Sequence, residues 1–509
     1  MGYLRYCIKV GFAHLFLCLF VASSLCSAQK NQYNQPGIID AYNDILKLKI
    51  EKGRQTLSKI NPDRKSLGHY YYVKSLADII ELLLDENEAR YKKYNDLEDD
   101  YLKEIKDMDD DDPFKLFYTS EIKLQWSLVK IQYGDELKAG IGLRSAWNSI
   151  QNNRDDFPNF NANNKTLGLL HILFGSIPDG YQWILKILGI KGNIQTGIDE
   201  LAKISESSPF WLETQIVQSI VSVNILHKQK ESIAKIERLL SDNNDNLLLH
   251  YLYSTTLLKN SRSEEALDKL SKLLLLGDEY LFLSLIYYQI GEAYLHQQDY
   301  ANAESFYSKF LNEYKGINFV KDAWFKTALT YWLRDNQKSA EVNFEKADDT
   351  GKIFVSADKN ADGILDEDNY PNKDLMKIRL TTDGGYYDEA ESILSNLNES
   401  MFESKKEKTI YYYRQARLKH KKNETERAIY FYLVSITKAG NENWYYAPNA
   451  CLNTGYIYME RNNVAKARFY FNKVLEYKKH KYKSEIDVKS RTALQSLGKV
   501  ESESKKKKK

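Results

Sequence analysis

The sequence predicts an all-α protein, a right-handed superhelical solenoid of antiparallel helical hairpins, and three observations favour this class. First, a small residue is followed four times by an alanine twelve positions later, and each alanine by an aromatic residue four positions further on. Second, the chain of 509 residues contains only 8 prolines, which break helices. Third, 28% of its residues are charged, as is typical of helices with one solvated face.

The four repeated units place small residues where two helices would touch. Their residues are Gly291, Ala303 and Tyr307; Ala328, Ala340 and Phe344; Ala416, Ala428 and Tyr432; and Gly455, Ala467 and Phe471. The small residues let the paired helices approach, and the aromatic residue fills the gap between neighbouring hairpins. Divergent repeats are predicted where the same twelve-residue step lacks the aromatic residue. These steps run from Ser127 to Ala139, from Ser254 to Ala266 and from Ile378 to Ala390.

The first helices of these units resemble those of the tetratricopeptide repeat. Its W-x2-L-G-x2-Y spacing is matched in the first unit by Tyr287, Ile290, Gly291 and Tyr294. The second unit matches it with Trp324, Ala328 and Tyr331. The resemblance implies a stack of helical hairpins of about 34 residues each, whose surface holds partner proteins.

The centre of the chain contains a block of apolar helices with glycine and proline between them. Leu167 to Ile177 is almost wholly apolar, and Pro178-Asp179-Gly180 follows it. A second apolar helix is expected from Tyr181 to Ile190, and a third from Ile194 to Ile204. Two runs of about ten residues are too short for a bilayer span, so we expect a buried hairpin, with a membrane hairpin as the alternative.

This block resembles the central segment of the tetratricopeptide-repeat-39 and fungal inclusion-body-clearance proteins. The similarity is carried by Leu-Gly-Ile-Lys-Gly-Asn at residues 188–193 and by the Gly-Ile-Asp-Glu-Leu that begins at Gly197. It extends over Phe114 to Tyr477. The resemblance implies a helical repeat superhelix with non-enzymatic roles in protein quality control and lipid-linked regulation. Those relatives work in the cytosol or on organelle surfaces, whereas this chain begins with an export signal, so their cellular role is not carried over.

The amino terminus predicts export. Arg5 and Lys9 precede an apolar run from Val10 to Val21, and small residues come before an expected cut ahead of Gln29. A retained signal anchor is the alternative. After cleavage Cys451 would be the only thiol, so no internal disulfide is expected, which favours the periplasm or cell envelope of a bacterium.

The predicted organisation has five parts. They are a signal peptide at 1–28, an N-terminal helical region at 29–112, divergent repeats with the central apolar hairpin at 113–280, tetratricopeptide repeats at 281–480 and a basic C-terminal tail at 481–509. Inside the second part, four consecutive carboxylates at Asp109 to Asp112 indicate a solvated loop or a helix start before Pro113, with cation binding as the alternative.

One segment favours a calcium site. Asp358, Asn360, Asp362 and Gly363 fall at the first, third, fifth and sixth positions of an EF-hand-like loop. The twelfth position is Asn369 in place of the usual glutamate, and Asp366 would have to compensate. We therefore expect either no cofactor or calcium in this loop, the alternative being a polar loop between repeats.

No catalytic residue is predicted. The histidines include no H-E-x-x-H pair, and the chain has no P-loop and no G-x-S-x-G. Three S-x-x-K matches, at Ser127, Ser232 and Ser356, lack the partner motifs of enzymes that use that pattern. His171, inside the apolar block, is expected to be a core residue and not a ligand.

A partner-binding face is predicted on the first helices, at positions that the packing consensus leaves free. Its residues are Tyr288, Glu292, His296, Phe325, Arg417 and Lys421. Aromatic side chains would take apolar groups and the cationic ones would take carboxylates. The alternative is that further helices cover this face.

These observations predict an exported, non-enzymatic scaffold that binds protein or peptide partners in the cell envelope. A formal net charge of +2 gives no reason to expect nucleic acid. Membrane association without a transmembrane segment in the mature protein stays open, as does the oligomeric state. Two alternatives remain: a carbohydrate- or lipid-handling protein with some of its 38 tyrosines along a groove, and an enzyme with an unrecognised site.

Overall fold

The computed structural model describes residues 35–177, 190, 192–226, 228–281, 283–367 and 370–506. Regular structure in these ranges is helical throughout, with 25 α-helices, one 3-10 turn and no strand. The all-α prediction is confirmed. The predicted signal at 1–28, and all but the last residue of the predicted helix from Tyr181 to Ile190, lie outside these ranges.

The chain divides into two compact units. Unit 1 comprises Met1–Tyr253, Ser271–Ser284 and Tyr314–Ile317, and unit 2 comprises Ser254–Leu270, Leu285–Glu313 and Asn318–Lys509. Among the described residues, none of the helices is both long enough and apolar enough to cross a membrane.

Unit 1 consists of helices of 6 to 21 residues. They are α1 (Pro36–Leu46), α2 (Ile50–Ser58), α3 (Leu67–Asp85), α4 (Glu88–Lys93), α5 (Leu97–Ile105), α6 (Pro113–Tyr133), α7 (Glu136–Asp156), α8 (Asn163–Gly175), α9 (Ile194–Leu201), α10 (Trp211–Asn224) and α11 (Gln229–Asp242). The next two helices, α12 (Leu247–Lys259) and α13 (Ser263–Leu273), each have residues in both units.

Unit 2 continues the pattern of short paired helices. They are α14 (Leu285–His296), α15 (Tyr300–Glu313), α16 (Val320–Leu333), α17 (Gln337–Asp349), α18 (Ser356–Leu365), α19 (Lys373–Gly384), α20 (Tyr387–Ser395), α21 (Lys405–Lys421), α22 (Thr425–Ala439), α23 (Tyr446–Glu460), α24 (Val464–Glu476) and α25 (Lys483–Lys506). First helices of different hairpins also lie side by side, as α19 does with α14 and with α21.

Seven hairpins turn from their first to their second helix in the same way. A residue with φ between 56° and 95° follows the small residue of the first helix by seven positions. These residues are Gly134, Ser261, Gln298, Asp335, Gly385, Asn423 and Asn462. The N–H after each one donates to the carbonyl five residues earlier, at 2.7–3.0 Å, as in a Schellman cap. The three predicted divergent repeats therefore share the turn of the four clearer ones.

The small residues of the repeats lie where helices touch. Every alanine of the four units is fully buried. A Cβ atom added at Gly291 would lie 2.8 Å from the Tyr307 ring, and one at Gly455 would lie 2.6 Å from the Phe471 ring. The aromatic residue of each second helix thus packs directly against the glycine of the first, which leaves no room for a larger side chain.

The central apolar block is held by an equally close contact in unit 1. Helices α8 and α9 pack so tightly that a Cβ at Gly197 would meet the Gly168 carbonyl oxygen at 2.4 Å. His171, expected as a core residue, is half-buried on α8, with Nδ1 2.6 Å from Glu200 Oε2 on α9. The close approach of the two helices leaves no room for a larger side chain at Gly168 or Gly197.

Residues 481–509 are not the predicted basic tail, since most of them form helix α25. Ile486, Ala493 and Leu497 are buried on one side of it, against α24 and α23. The prediction followed the lysine run at the end of the chain and overlooked this apolar spacing, which is that of an amphipathic helix. Residues 507–509 lie outside the described part.

Candidate partner-binding face

Two of the six predicted partner-binding residues lie in the core of unit 2. Tyr288 is 3% exposed and Phe325 is 1% exposed. The Tyr288 ring lies 5.0 Å from the Phe319 ring and 5.4 Å from the Phe310 ring, and Phe325 lies 5.7 Å from Phe344. The prediction is wrong for both, because neighbouring helices cover this side of the first helix and large rings gain stability by burial.

Glu292 on α14 belongs to a closed network with α16. The Lys326 ammonium lies 2.6 Å from Glu292 Oε1 and 2.6 Å from Asp322 Oδ2. The Tyr307 hydroxyl donates to Glu292 and the Tyr288 hydroxyl to Asp322, both at 2.5 Å. Burial alone would raise the pKa of Glu292, but the Lys326 charge outweighs it and lowers that pKa. Each carboxylate is thus paired with an ammonium and a phenol of this chain.

His296 lies at the end of α14, beside this network. Its Nδ1 is 2.8 Å from Ser263 Oγ. Burial lowers the pKa of His296, although Glu292 and Asp383 act in the opposite direction. The imidazole is therefore neutral at pH 7 and adds a hydrogen-bonding group, not a charge, to the face.

The side chains of α19 and α21 form a more open region. Arg417 Nη1 lies 2.7 Å from Asp383 Oδ1, and Arg379 Nε lies 3.7 Å from Asp383 Oδ2. All three side chains are about a quarter exposed, at 24–26%. Burial alone would raise the pKa of Asp383, but Arg417 and Arg379 lower it to about 2. The carboxylate is ionised at any physiological pH and holds both guanidiniums in place.

Arg414 lies one turn before Arg417 on α21 and was not among the predicted residues. Its side chain is 5% exposed, and its Nε atom has no hydrogen-bond partner. Within the described part of the chain it forms no ion pair with a carboxylate. Its guanidinium carbon lies 5.7 Å from the centre of the Tyr413 ring. A buried charge without a counter-charge is costly, so this arginine is the most unusual group of unit 2.

We call Arg379, Arg414, Arg417 and Asp383 the arginine cluster. Three cations face one anion in it, which leaves a formal excess of two positive charges. We define the first-helix face of unit 2 by its partly exposed side chains. They are Glu292, His296, Arg379, Asp383, Arg417 and Tyr445. Lys421, also predicted for this face, is half-buried at the end of α21 and is already engaged in an interaction within the chain.

Tyrosine rings border the arginine cluster on the side of α23. The Tyr445 ring lies 4.2 Å from the Tyr446 ring and 5.2 Å from the Tyr482 ring. Burial alone would raise the pKa of Tyr445, but the charges of Arg414 and Arg379 lower it. Both arginines therefore lie close enough to this phenol to stabilise negative charge on it.

The predicted calcium loop is a helix. Residues 356–365 form α18, and Asp358 on it is fully buried. Its carboxylate accepts the backbone N–H groups of Phe319, at 2.8 Å, and Asp322, at 2.9 Å. Asp358 thus caps the N-terminus of α16 from another helix, which explains its burial without a metal.

The other predicted calcium ligands are also paired within unit 2. Asn360 accepts from the Tyr482 hydroxyl at 3.2 Å, Asp362 lies 3.4 Å from Lys321 and Asp366 lies 3.8 Å from Lys481. Asn369 lies outside the described residues. Within them, His, Cys, Asp and Glu side chains form no group of three that could hold a metal ion.

The acidic run at 109–112 in unit 1 contains the predicted helix start. Asp112 accepts the N–H of Phe114 at 2.9 Å and caps α6, whose first residue is Pro113. The Lys115 ammonium donates to Asp110 at 2.7 Å and to the Met108 carbonyl at 2.8 Å. A lysine of the chain itself thus pairs with one of the four carboxylates.

Unit 1 contains a second charged group, which we call the buried triad: Lys165, Glu121 and Glu213. All three side chains are fully buried. The Lys165 ammonium donates to Glu121 and lies 2.9 Å from Glu213 Oε1. The Tyr42 and Tyr72 hydroxyls donate to Glu213 Oε2 at 2.7 and 2.9 Å. Burial raises the pKa of Glu121. The triad is completed by groups of this chain alone.

Comparison with known families bears on the first clear repeat. Residues 286–316, which span α14 and α15, match the family model described as Tetratricopeptide repeat. This match covers one helical hairpin of the chain. The match includes Gly291, Ala303 and Tyr307 of the first predicted unit. No curated protein matches the sequence of this chain.

Solved helical structures resemble this chain at low identity. The apo quorum sensor NprR from B. thuringiensis is 11% identical, with 79% of this chain and 98% of that one covered and a TM-score of 0.30. NprR in complex with its cognate peptide NprX is also 11% identical, with 81% of this chain and 99% of that one covered and a TM-score of 0.34. The human IFIT1 dimer with PPP-AAAA is 13% identical, with 92% of this chain and 94% of that one covered and a TM-score of 0.33. At these values the likeness is one of helical class and says nothing about a ligand.

The tetratricopeptide register also explains which site residues the sequence reasoning missed. Arg417 directly follows the small residue Ala416, and Arg379 directly follows Ile378, the equivalent residue of a divergent repeat. Asp383 lies five positions after Ile378, as His296 does after Gly291. Extending the register to the divergent repeat would therefore have found Arg379 and Asp383. The lack of a counter-charge for Arg414 is a tertiary property that the sequence does not reveal.

Proposed function

We propose that this protein is an exported, non-enzymatic scaffold that binds a protein or peptide partner through the first-helix face of unit 2. Arg414 carries the proposal, because it is buried, charged and without a carboxylate partner among the described residues. Such a group lowers stability unless an anion compensates it. A partner that supplies an anionic group to this face would remove that cost on binding.

The way the hairpins pack supports the same proposal. Small and aromatic residues such as Gly291 and Tyr307 hold the paired helices together, so the charged side chains of the first-helix face are not needed for that contact. Arg379, Arg417 and Tyr445 remain partly exposed. Charged and aromatic groups on a rigid helical surface are the side chains that dominate protein interfaces.

The non-enzymatic role and the compartment are parts of the proposal that rest on sequence. No catalytic motif accompanies the repeats, and residues 1–28 have the pattern of an export signal. We place the protein in the periplasm or envelope of a bacterium, since the mature chain would have a single cysteine and no disulfide. A relationship to the tetratricopeptide-repeat-39 proteins is also proposed, on the central apolar block.

The test is site-specific photo-crosslinking of the full chain in its source bacterium, followed by fractionation and mass spectrometry. Benzoylphenylalanine is placed at Tyr445 on the face or, as the matched control, at Tyr430, which is 62% exposed on the second helix α22. We expect one protein or peptide adduct from position 445, in the envelope fraction, and none from position 430.

Three results would contradict parts of this proposal. Adducts only from position 430 would remove the first-helix face as the binding surface. Adducts of lipid or glycan from position 445 would support the rival binding function in place of a protein partner. Recovery of the protein only from the cytosol would overturn export while leaving the binding face intact.

A further inference from the structure

We propose that the arginine cluster binds the dianionic phosphoryl group of a phosphate monoester. This inference rests on the proposed function, because it names the chemical group that the partner places against the first-helix face. It depends on three observations in unit 2: the uncompensated charge of the cluster, the arrangement of its guanidiniums and the tyrosine rings beside it.

The charge excess of the cluster matches a dianion. Arg379, Arg414 and Arg417 carry three positive charges, and Asp383 supplies one negative charge. Glu367, whose charge acts on the neighbouring Tyr446, is already paired with Lys406 at 2.5 Å. A single carboxylate would leave one positive charge without a partner. A phosphate monoester carries about −1.5 to −2 at pH 7 and offers three acceptor oxygens.

The guanidiniums are held in place before any ligand arrives. Asp383 on α19 binds Arg417 on α21 at 2.7 Å and lies 3.7 Å from Arg379 on its own helix. Arg414 and Arg417 are three residues apart on α21, so they lie on neighbouring positions of one helix face. Each guanidinium presents its N–H donors in a planar fork that matches phosphate oxygens, and fixed side chains lose less entropy on binding.

The tyrosine rings make this region suitable for strong electrostatic contacts. Tyr445, Tyr446 and Tyr482 form a contiguous group of rings with centroids 4.2 and 5.2 Å apart. Low-dielectric surroundings strengthen the attraction between arginine and phosphate. The charges of Arg414 and Arg379 also act on the Tyr445 phenol, whose pKa they lower. The organic part of a monoester would also find an apolar surface there.

The neighbouring network of Glu292, Asp322 and Lys326 is not a comparable anion-binding site. Lys326 already bridges Glu292 and Asp322 at 2.6 Å each, and both carboxylates also accept a phenol. Its two carboxylates and one ammonium carry a formal net charge of −1, and among the described residues no ion pair joins them to the arginine cluster. Among the three arginines, the buried donor without a hydrogen-bond partner is Nε of Arg414.

The test is isothermal titration calorimetry of the full chain with three probes at constant ionic strength and pH 7.5. The probes are phenyl phosphate as the monoester, inorganic phosphate as the free anion and acetate as the carboxylate. We expect phenyl phosphate to bind at least about tenfold more tightly than acetate, because acetate carries one negative charge fewer and offers two acceptor oxygens in place of three.

Two variants locate the site. Arg414→Gln is expected to weaken phenyl phosphate binding by about tenfold or more, and Arg414→Lys, which keeps the charge but loses the fork, by a smaller factor. Arg427→Gln removes a 66% exposed arginine from the adjacent helix α22 with the same change in net charge, and should leave binding unchanged. Circular dichroism melting of each variant confirms that it is folded.

The remaining outcomes would each overturn one part of the proposal. Equal affinity for acetate overturns the phosphoryl assignment, and equal affinity for inorganic phosphate overturns the monoester. An unchanged affinity of folded Arg414→Gln removes the site. If no phosphate binds but position 445 still crosslinks to a protein, only this inference fails. If phenyl phosphate binds and position 445 captures no protein, the ligand is a small phosphate ester and the proposed function fails instead.

Discussion

The buried triad of unit 1 and the arginine cluster of unit 2 are opposite solutions to placing charge inside a helical protein. In the triad, the Lys165 ammonium lies between two carboxylates, and tyrosine hydroxyls donate to one of them, all with fully buried charged side chains. In the cluster, three guanidiniums share one carboxylate, and the most buried of them, Arg414, has no carboxylate partner among the described residues.

The difference indicates what each group does. A buried charge network completed within the chain stabilises a particular packing of helices, and breaking it leaves an uncompensated charge. A buried cation that the chain itself does not neutralise lowers stability until a ligand arrives. We therefore expect substitutions in the triad to change stability, and substitutions in the cluster to change binding.

The largest expected effect is on Lys165. Lys165→Met removes the cation between Glu121 and Glu213 and leaves two buried carboxylates facing each other. The free energy of unfolding, measured by urea denaturation, should fall by about 3–5 kcal/mol. The control is Lys138→Met. The Lys138 side chain is 60% exposed, so this substitution should change the free energy of unfolding by less than about 0.5 kcal/mol. A loss below about 1 kcal/mol for Lys165→Met would contradict the role given to the triad.

The second effect is a pH dependence in the same region. Burial lowers the pKa of His69 to about 4, and neither ring nitrogen has a hydrogen-bond partner in the described structure. Unfolded chains take up this proton near pH 6.5 but the folded chain only near pH 4, so stability is lost as the pH falls through that window. The full loss is about 3 kcal/mol.

His69→Phe keeps a ring against Tyr118 and Tyr42 but removes the titration. Urea denaturation at pH 7, 5.5 and 4 should show a flatter pH dependence for this variant than for the unchanged chain. Parallel curves for the two proteins would show that His69 does not titrate as described.

A further pair of substitutions compares the packing of the two units instead of their charges. Gly291→Ala places a Cβ 2.8 Å from the Tyr307 ring and should destabilise unit 2 by about 1–3 kcal/mol through overpacking. Gly140→Ala on α7 of unit 1 meets no atom within 4 Å and should stabilise by about 0.5–1 kcal/mol, because alanine favours helix over glycine. Thermal unfolding of the two variants should shift in opposite directions, and equal shifts would contradict the packing described for Gly291.

The smallest effect on stability is expected at Arg414. Arg414→Met removes a buried charge without an ion-pair partner, which stabilises the fold, and shortens a packed side chain, which destabilises it. These effects oppose each other, so the free energy of unfolding in chloride buffer should change by less than about 1 kcal/mol. The same kind of exchange at Lys165 should cost several times as much. A loss of about 3 kcal/mol or more at Arg414 would show that its charge is compensated within the chain.

The repeat spacing was enough to predict the helical class and the contact residues. Gly291, Ala303 and Tyr307 could be found because the contact between two paired helices is local in sequence. The same helical phase placed Tyr288 and Phe325 on a free face, and they are buried, because phase does not show which other helices cover a surface. The sequence therefore predicts contacts within a hairpin better than contacts between hairpins.

Long-range contacts explain the other errors. Asp358 fits an EF-hand spacing, but its carboxylate is bound by the N-terminus of α16, more than thirty residues away. Similarly, Arg414 is unusual because it forms no ion pair with a carboxylate among the described residues, and this depends on side chains from several helices. Neither property has a signature in the local sequence.

The central claim is that the charge of the arginine cluster is left for a ligand, whereas that of the triad is not. The most direct measurement is the thermal unfolding midpoint in phenyl phosphate and in sodium chloride at equal ionic strength, for the unchanged chain, Arg414→Met and Lys165→Met. We expect phenyl phosphate to raise the midpoint of the unchanged chain and of Lys165→Met, but not that of Arg414→Met. The same rise in all three proteins, or a rise in none, would contradict the account.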